Sequence, residues 1–528
     1  MRKSGPPRKA ASPLLGKLIP KAQLPTRDVR SFNQEAVSLI HAGRREEALR
    51  LFEEACRIHP SSVDLWSNRG RLSMEIGNFA DAAKCLDQAL KLQPRNPDAL
   101  NNLGSLHYRQ KSYAMASDAF SRVLSTSEDH DAARRNLSLS ERMLAQELST
   151  QGDFAAACAH FETAIQYAPN DSDLLVSAAM NQRHMGANAA AIAILRKACA
   201  VAEVCHGEDP SARRKLAAAR CTLGTTLLRE GLYAEGWRLY EFRREAHGHA
   251  PACPHGLRQW DGRAVPAESQ ILVECEQGFG DTIQFFRFVE RLSKWFEGIT
   301  LAVQKPLVDL LARSSSSAVV AIDNMPPARE PLTHYATLPS LPALLGVELD
   351  DLKPDAAYLF PDEHRIAAWR DRELPLPPAL RVGLAWGSSS GLSDNAMRNV
   401  AFEDICTLLD VPGVQWFSLQ KDVDPTLTGN APLINWMSDV QDFHDTAALV
   451  ETLDLVISVD TSVLHLAGAV GVPAWLLNRY TGEWRWLTQQ GQSPWYSSVE
   501  VFHQERYGDW RPTLSRVRER LQQKIASA

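Results

Sequence analysis

Along residues 29–246 the apolar positions fall with helical spacing, and small and aromatic residues return at a period of about 34 residues. The second unit shows the pattern most fully, with Trp66, Gly70, Gly77, Ala82, Leu86, Ala89 and Pro94. The first has Ala36, Gly43, Ala48, Phe52, Ala55 and Pro60, and the third Leu100, Gly104, Tyr113, Ala116 and Phe120. After a slip at 131–137, a fourth unit carries Gly152, Ala157, Phe161, Ala164 and Pro169. The fifth has Ala179, Gly186, Ala191, Leu195 and Ala198, and the sixth Gly224, Gly231, Trp237 and Tyr240. Small residues allow close helix crossings and aromatics fill the gaps. The spacing predicts about six helix-turn-helix units, each burying its apolar face on the next. A loop at 205–210 offers a place to divide the first five units from the rest of the chain.

Beyond residue 262 the period changes. Strands are predicted at 271–273, 299–303, 382–386, 415–419, 433–435, 455–459, 474–477 and 499–502, interleaved with helices such as 281–295 and 462–470. This alternation predicts parallel, doubly wound sheets. A Pro-rich stretch at 370–380 separates two halves, 262–375 and 376–528. The expected fold class is therefore an all-α solenoid (29–246) followed by two facing, doubly wound, Rossmann-like α/β halves, with ligands at the carboxyl ends of the strands. Residues 1–28 carry Arg2, Lys3, Arg8, Lys9, Lys17, Lys21 and Arg27 among prolines and are expected to form a disordered basic tail. Residues 512–525 predict a basic amphipathic helix.

The second half turns on residues 454–473, DLVISVDTSVLHLAGAVGVP. Leu455, Val456, Ile457 and Val459 suit a strand buried on both faces, and a helix follows directly. The turn gathers Asp460, Thr461 and Ser462 at a helix N-terminus, where an anion is favoured by about 0.3–2 kcal/mol. His465 lies one turn later on the same face. These four are candidate diphosphate ligands; the alternative is that the hydroxyls only cap the helix and His465 is a core histidine. Ser388 and Ser389, after Gly387, suit phosphate oxygens, and Arg398, Gln420 and Lys421 complete the donor-side candidates. Earlier in the chain, Glu276, Gln277, Gly278 and Gly280 form a glycine loop ahead of Asp281. It is not a dinucleotide fingerprint, because Ile283 stands where a third glycine belongs and no acid ends the following strand. Glu483–Trp486 and Ser493–Tyr496 are aromatic-rich and read mainly as core, with Trp495 or Tyr496 as an alternative stacking surface.

The segments EQGFGDTIQF, VGLAWGSS, WFSLQK, SVDTSVLHLAGAVGVP, EWRW and SPWY occur in this order. Together with the helical period, they resemble bacterial proteins that join tetratricopeptide repeats to a heptosyltransferase-like glycosyltransferase domain of the GT-B fold. The resemblance covers nearly the whole chain past its first thirty or so residues. It implies transfer of a sugar from a nucleotide-activated donor to a hydroxyl acceptor, with no metal and no other cofactor. It also implies that the helix at 512–525 crosses back over both halves, and it implies Asp281, in the acceptor half, as the catalytic base; Glu274 and Glu276 lie nearby in the sequence as substitutes. A carboxylate at a helix start is also a common stabiliser of the first turn, and the helix dipole makes it a weaker base. One departure stands out: after Trp386 the chain reads GSSSGLSDNAMRN, without the histidine of the N-P-x-H-x-N-D-x-x-R-S-like run usual in the relatives and with Asn399 after Arg398. The departure puts the donor's identity, and activity itself, in question.

Composition narrows the setting. With 528 residues, a net charge of -6 and 45% hydrophobic residues, the chain has no overall basic footprint for nucleic acid. It has no apolar run long enough for a bilayer, so a cytoplasmic location is expected. Nine scattered cysteines without a C-x-x-C pair suggest reduced thiols and no structural metal, and the D-V-D at 422–424 reads as a loop rather than a metal motif. The resemblance implies as partners a nucleotide sugar and a polypeptide acceptor held by the repeats, flagellin or another surface protein first. The alternatives are transfer to lipopolysaccharide or polysaccharide, and a repeat adaptor whose transferase half no longer catalyses.

Overall fold

A computed structural model of the chain describes residues 27–205, 209–248, 256–324, 331–352, 357–372, 379–388, 395–421, 429, 431–487 and 491–527. Ser389, the 422–424 acidic run and the basic tail up to residue 26 lie outside the described residues. The chain divides into two compact units, Met1–Ser140 and Glu141–Ala528.

The first unit holds three helix pairs: Val29–His41 with Arg45–Ile58, Val63–Glu75 with Phe79–Leu92, and Pro97–Arg109 with Tyr113–Leu124. Local chemistry starts these helices: Asp28, Ser62, Asn78 and Asn96 each accept a first-turn N–H, and Pro97 occupies the first turn where no donor is needed. Within a pair the close approach is set by glycine. A Cβ on Gly70 would meet the Leu86 side chain at 2.8 Å, and one on Gly104 would meet Phe120 at 2.6 Å. Side-chain amides tie successive repeats together, Asn68 to Asn33 at 3.0 Å, Asn102 to Ser67 at 3.0 Å and Asn136 to Asn101 at 3.2 Å.

The slip read in the sequence is extra helix: Asp131–Thr150 has 20 residues where Val29–His41 has 13, so the seven added residues make about two more turns. Its continuation opens the second unit, followed by Phe154–Tyr167, the pair Ser172–His184 and Asn188–Cys205, and the pair Pro210–Arg229 and Tyr233–Tyr240. The array does not end at a free boundary after residue 246. Tyr233, Trp237 and Tyr240 of the sixth pair are buried in one core with Phe285, Trp484 and Trp495 of the α/β region, and Trp237 Nε1 donates to Val347 O at 3.0 Å.

The α/β region contains two sheets. In the first, β1 (Arg258–Gln259), β2 (Gln270–Glu274), β3 (Gly298–Val303), β4 (Ala318–Ala321) and β5 (Leu332–Thr337) lie in the order β1-β5-β2-β3-β4, all parallel. The second contains β6 (Leu380–Ala385), β7 (Val414–Ser418), β8 (Leu433–Asn435), β9 (Leu455–Val459), β10 (Ala474–Asn478), β11 (Gly491–Gln492) and β12 (Val499–His503). Its order is β11-β12-β10-β9-β6-β7-β8, parallel except for the β11–β12 edge. The central strand β9 is buried along its whole length, as its apolar residues Leu455, Val456, Ile457 and Val459 require.

Two expectations are corrected. The helix expected over 281–295 is shorter, Phe279–Phe286, and gives way to a tighter 3₁₀ segment at Glu290–Lys294, which keeps Phe288, Val289 and Leu292 all in the core. Among the described residues, the terminal helix Arg511–Ala526 packs on the second half rather than across both. Its buried Leu514, Val517 and Leu521 pack with Leu408, Trp416 and Val382 in the core of the second sheet alone, because its apolar stripe is only wide enough for one neighbour.

Candidate functional site

Strand β9 ends at Val459, and the helix Ser462–Val470 begins three residues later. Thr461 occupies the N-cap position in extended conformation, yet makes no side-chain cap. Its hydroxyl instead meets Ser458 Oγ at 3.0 Å. The helix N-terminus therefore keeps its leading N–H groups free of a capping hydroxyl, which suits it to an anion. Asp460 is largely buried and its backbone oxygen accepts Arg398 Nη1 at 3.2 Å. Burial alone would raise its carboxyl, but the neighbouring His465, then the charges of Arg398 and Arg485, more than reverse this, to about 2. His465 faces Asp460 at 3.7 Å through Nε2, meets Tyr496 OH at 2.9 Å through Nδ1, and stacks on Trp486 with ring centroids 5.3 Å apart.

The loop after β6 is built by Gln420. Its side-chain oxygen accepts the N–H of Trp386 at 3.2 Å and of Gly387 at 2.9 Å, while Asn399 Oδ1 takes the Ser388 N–H at 3.0 Å. Asn399, the departure noted in the sequence, is thus a loop anchor.

From the first sheet, β2 leads through Glu276 and Gln277 into the helix Phe279–Phe286. Asp281 Oδ2 accepts the Gly278 N–H at 3.1 Å, and its other oxygen is bonded by the Arg485 guanidinium. Gly280 abuts the other helix: a Cβ there would stand 2.9 Å from His465 Cδ2 and 3.5 Å from Ser462 Cα. The two helix starts that the sequence singled out therefore touch. Beside them the rings of Phe279 and Phe443 meet across the two halves, centroids 4.8 Å apart.

These elements enclose a cavity of about 720 Å³. Of the candidates, Gly278, Gly280, Asp281, Ser388, Arg398, Gln420, Lys421, Asp460, Thr461, Ser462 and His465 all line it. Glu276 and Gln277 do not; their side chains turn away to Arg243 and Tyr240. Glu274 is bonded by Tyr335 OH at 2.8 Å, so neither glutamate stands in for Asp281 at the cavity. Trp495 and Tyr496 are 0% and 2% exposed and serve the core. Sequence reading passed over Arg479, Glu483, Arg485, Phe279 and Phe443, which also line the cavity. Only the clustering of Arg485 and Glu483 with tryptophans hinted at a buried charge. Among the described residues no three His, Cys, Asp or Glu side chains gather as a metal site, and no helix is long and apolar enough to cross a membrane.

The chain is similar to known proteins over part of its length. The tetratricopeptide-repeat family model matches residues 67–133 and 142–213. Over 405 residues the chain is 29% identical to protein FlbA of Caulobacter vibrioides, spanning 71% of this chain and 65% of FlbA. The chain thus spans about two thirds of the length of that relative. Among solved structures, it is similar to MamA (20% identity, 33% of this chain and 90% of that one, TM-score 0.28). It is also similar to YrrB, described as a tetratricopeptide-repeat protein with an unusual peptide-binding site (19% identity, 34% and 88%, TM-score 0.28). A third is PilW, a type IV pilus biogenesis factor (17% identity, 42% and 92%, TM-score 0.30). The helical part of the chain carries tetratricopeptide repeats, and an α/β region with two mostly parallel sheets follows it.

Proposed function

We propose that the chain is a glycosyltransferase of GT-B type, moving a sugar from a nucleotide diphosphate donor to a hydroxyl acceptor, with a polypeptide recruited by the repeats as that acceptor. The observation that carries this reading is the contact of Gly280 with His465, which brings the Gly278–Asp281 loop and the Asp460–His465 turn to one cavity. The donor diphosphate would sit on the uncapped start of the helix Ser462–Val470, near Arg398 and Ser388. The acceptor oxygen attacks the anomeric carbon, the bond from that carbon to the diphosphate oxygen breaks, and the hydroxyl proton passes to Asp281. A positioned base of this kind supplies about 10²–10⁴ in rate. The flanking cations and the helix N-terminus stabilise the charge that grows on the leaving diphosphate.

One observation favours a second reading. Both oxygens of Asp281 are already engaged, by Gly278 and Arg485, which suits a repeat adaptor that binds a nucleotide sugar without transferring it. A thermal-shift screen against nucleoside diphosphates and nucleotide sugars tests the shared part, since ligand at 100 times its Kd adds roughly 2.7 kcal/mol. Sugar transfer or nucleotide release with the ligand so found separates the two readings. A chain that binds none of them is neither.

A further inference from the structure

The loop that delivers Gly278–Asp281 to the cavity is held from behind by the repeats, and the residue that grips it is Arg243. This residue opens the short helix Arg243–Ala246 just past the sixth repeat, and its side chain is 3% exposed. The guanidinium forms a fork with Glu276, Nε to Oε1 and Nη2 to Oε2, both 2.8 Å. Nη2 also donates to Thr337 Oγ1 at 2.9 Å and Ser340 Oγ at 2.8 Å, at the end of β5, and Nη1 donates to Glu241 Oε1 at 2.7 Å. One residue further, the Gln277 carboxamide pairs with Tyr240 OH at 3.0–3.1 Å, and its backbone oxygen accepts Gln304 Nε2 at 2.7 Å. The next N–H, of Gly278, is the one that Asp281 accepts.

Burial would raise the Glu276 carboxyl, yet the Arg243 fork and charge hold it below the usual carboxylate range. A desolvated ion pair of this kind adds little net stability, but its planar two-bond geometry fixes orientation, which a lysine's point charge cannot do. Arg243 itself does not line the cavity.

We propose that Arg243 is a positioning residue: through Glu276 and Gln277 it sets the backbone of residues 276–281 and so aims Asp281 into the cavity, making the sixth repeat part of the catalytic half. Its chemical consequence rests on the transferase reading, while its geometric content rests on the contacts alone.

The test uses the full chain with Arg243→Lys and the milder Tyr240→Phe, which removes one hydroxyl. Backbone hydrogen exchange is followed over 275–287 and, as a control, 455–470. Thermal shifts with UDP, GDP, ADP, CDP and dTDP report the donor side. Nucleotide release from the corresponding nucleotide sugars, with water as acceptor, reports turnover. In Arg243→Lys, exchange over 275–287 should rise at least about tenfold with 455–470 unchanged, because only the loop loses its anchor. The nucleotide shift should persist, and kcat should fall about tenfold or more with donor KM within about threefold, the signature of lost alignment. Tyr240→Phe should move the same readouts less far, and it carries the test should Arg243→Lys not fold. Unchanged loop exchange in the folded variants overturns the proposal, and so does faster exchange with unchanged kcat. If the native chain releases nucleotide from no sugar, the transferase reading fails, and the exchange measurement alone decides whether Arg243 sets the loop.

Discussion

The guanidinium of Arg485, from the second α/β half, bonds the carboxylate of Asp281 at the head of the helix Phe279–Phe286 in the first. The same side chain donates from Nε to Gln284 Oε1 at 2.6 Å and from Nη1 to Glu483 Oε1 at 2.6 Å. One buried cation therefore serves groups of both halves at the edge of the cavity.

Replacing that cation should be strongly destabilising. Arg485→Ala leaves Asp281 and Glu483, with side chains 22% and 14% exposed, without their shared partner. Breaking a buried pair on one side costs about 3–5 kcal/mol, and the residual exposure here argues for the lower end. Urea denaturation of the full chain reads it directly. A loss below about 0.5 kcal/mol would show that water replaces the guanidinium and that the bridge does not hold the halves.

Gly280→Ala should act on the donor side although residue 280 belongs to the other half. The new methyl would lie 2.9 Å from His465 Cδ2, and that ring cannot simply retreat, because it is stacked on Trp486 and bonded to Tyr496 OH. Displacing His465 should weaken nucleotide binding about tenfold or more, a loss of about 1.4 kcal/mol, while secondary structure by circular dichroism stays native. Unchanged nucleotide affinity in the folded variant would separate His465 from the ligand.

Much of this architecture is legible in the sequence where the signal is local. The helix pairs follow from periodicity and turn glycines such as Gly43 and Gly77, both with positive φ. The apolar, mostly β-branched set Leu455, Val456, Ile457 and Val459 gives the central strand, and the following turn gives the helix start that lines the cavity. What sequence does not carry is which distant charge meets which. Arg485 sits in a stretch that reads as aromatic packing and Arg243 at the end of the sixth repeat, and their partners Asp281 and Glu276 lie 204 and 33 residues away. Glu276 and Gln277 look like cavity residues by adjacency, whereas the strand–loop geometry turns them toward the repeats.

Acid should weaken the second unit through two groups acting in separate windows. His444 is 6% exposed and its Nε2 accepts the Asp362 N–H at 2.9 Å. Burial first, then the charge of Arg365, pushes its pKa below the ordinary value. The unfolded chain takes up that proton near pH 6.5 while the folded chain resists it, so this stability is present above about pH 6.5 and lost as the pH falls below it. Asp460 is held at about 2. Its contribution is present above its unfolded pKa, near 3.9, and is lost as the pH falls through about 2. His444→Gln keeps an acceptor and removes the first window. Denaturation at pH 7.5 and 5.5 should therefore show a smaller difference for the variant than for the native chain, and equal differences would rule out His444 as a source.

The place to divide the chain follows from the packing of the fourth and sixth repeats. Phe154 stacks on Tyr480 at 5.9 Å and meets Tyr507 edge-on at 5.2 Å, and Arg229 donates to Thr481 O at 2.7 Å. A cut at 205–210, which the sequence suggests, strips Phe154 from those two tyrosines and leaves an apolar face to water. A cut in the turn ahead of the helix Asp131–Thr150 keeps that helix and all these contacts. A chain starting at residue 130 should unfold in one cooperative transition and keep the native nucleotide-induced shift, whereas one starting at residue 210 should melt lower, since losing a buried aromatic contact costs about 3–5 kcal/mol when the cavity is complete. Under the function proposed, the chain starting at residue 130 should still release nucleotide from its donor but modify the full-length acceptor poorly, because tethering in a groove raises the acceptor's local concentration to about the millimolar range. Full acceptor modification by that chain would place recognition in residues 130–528 and leave the first three repeats without that role.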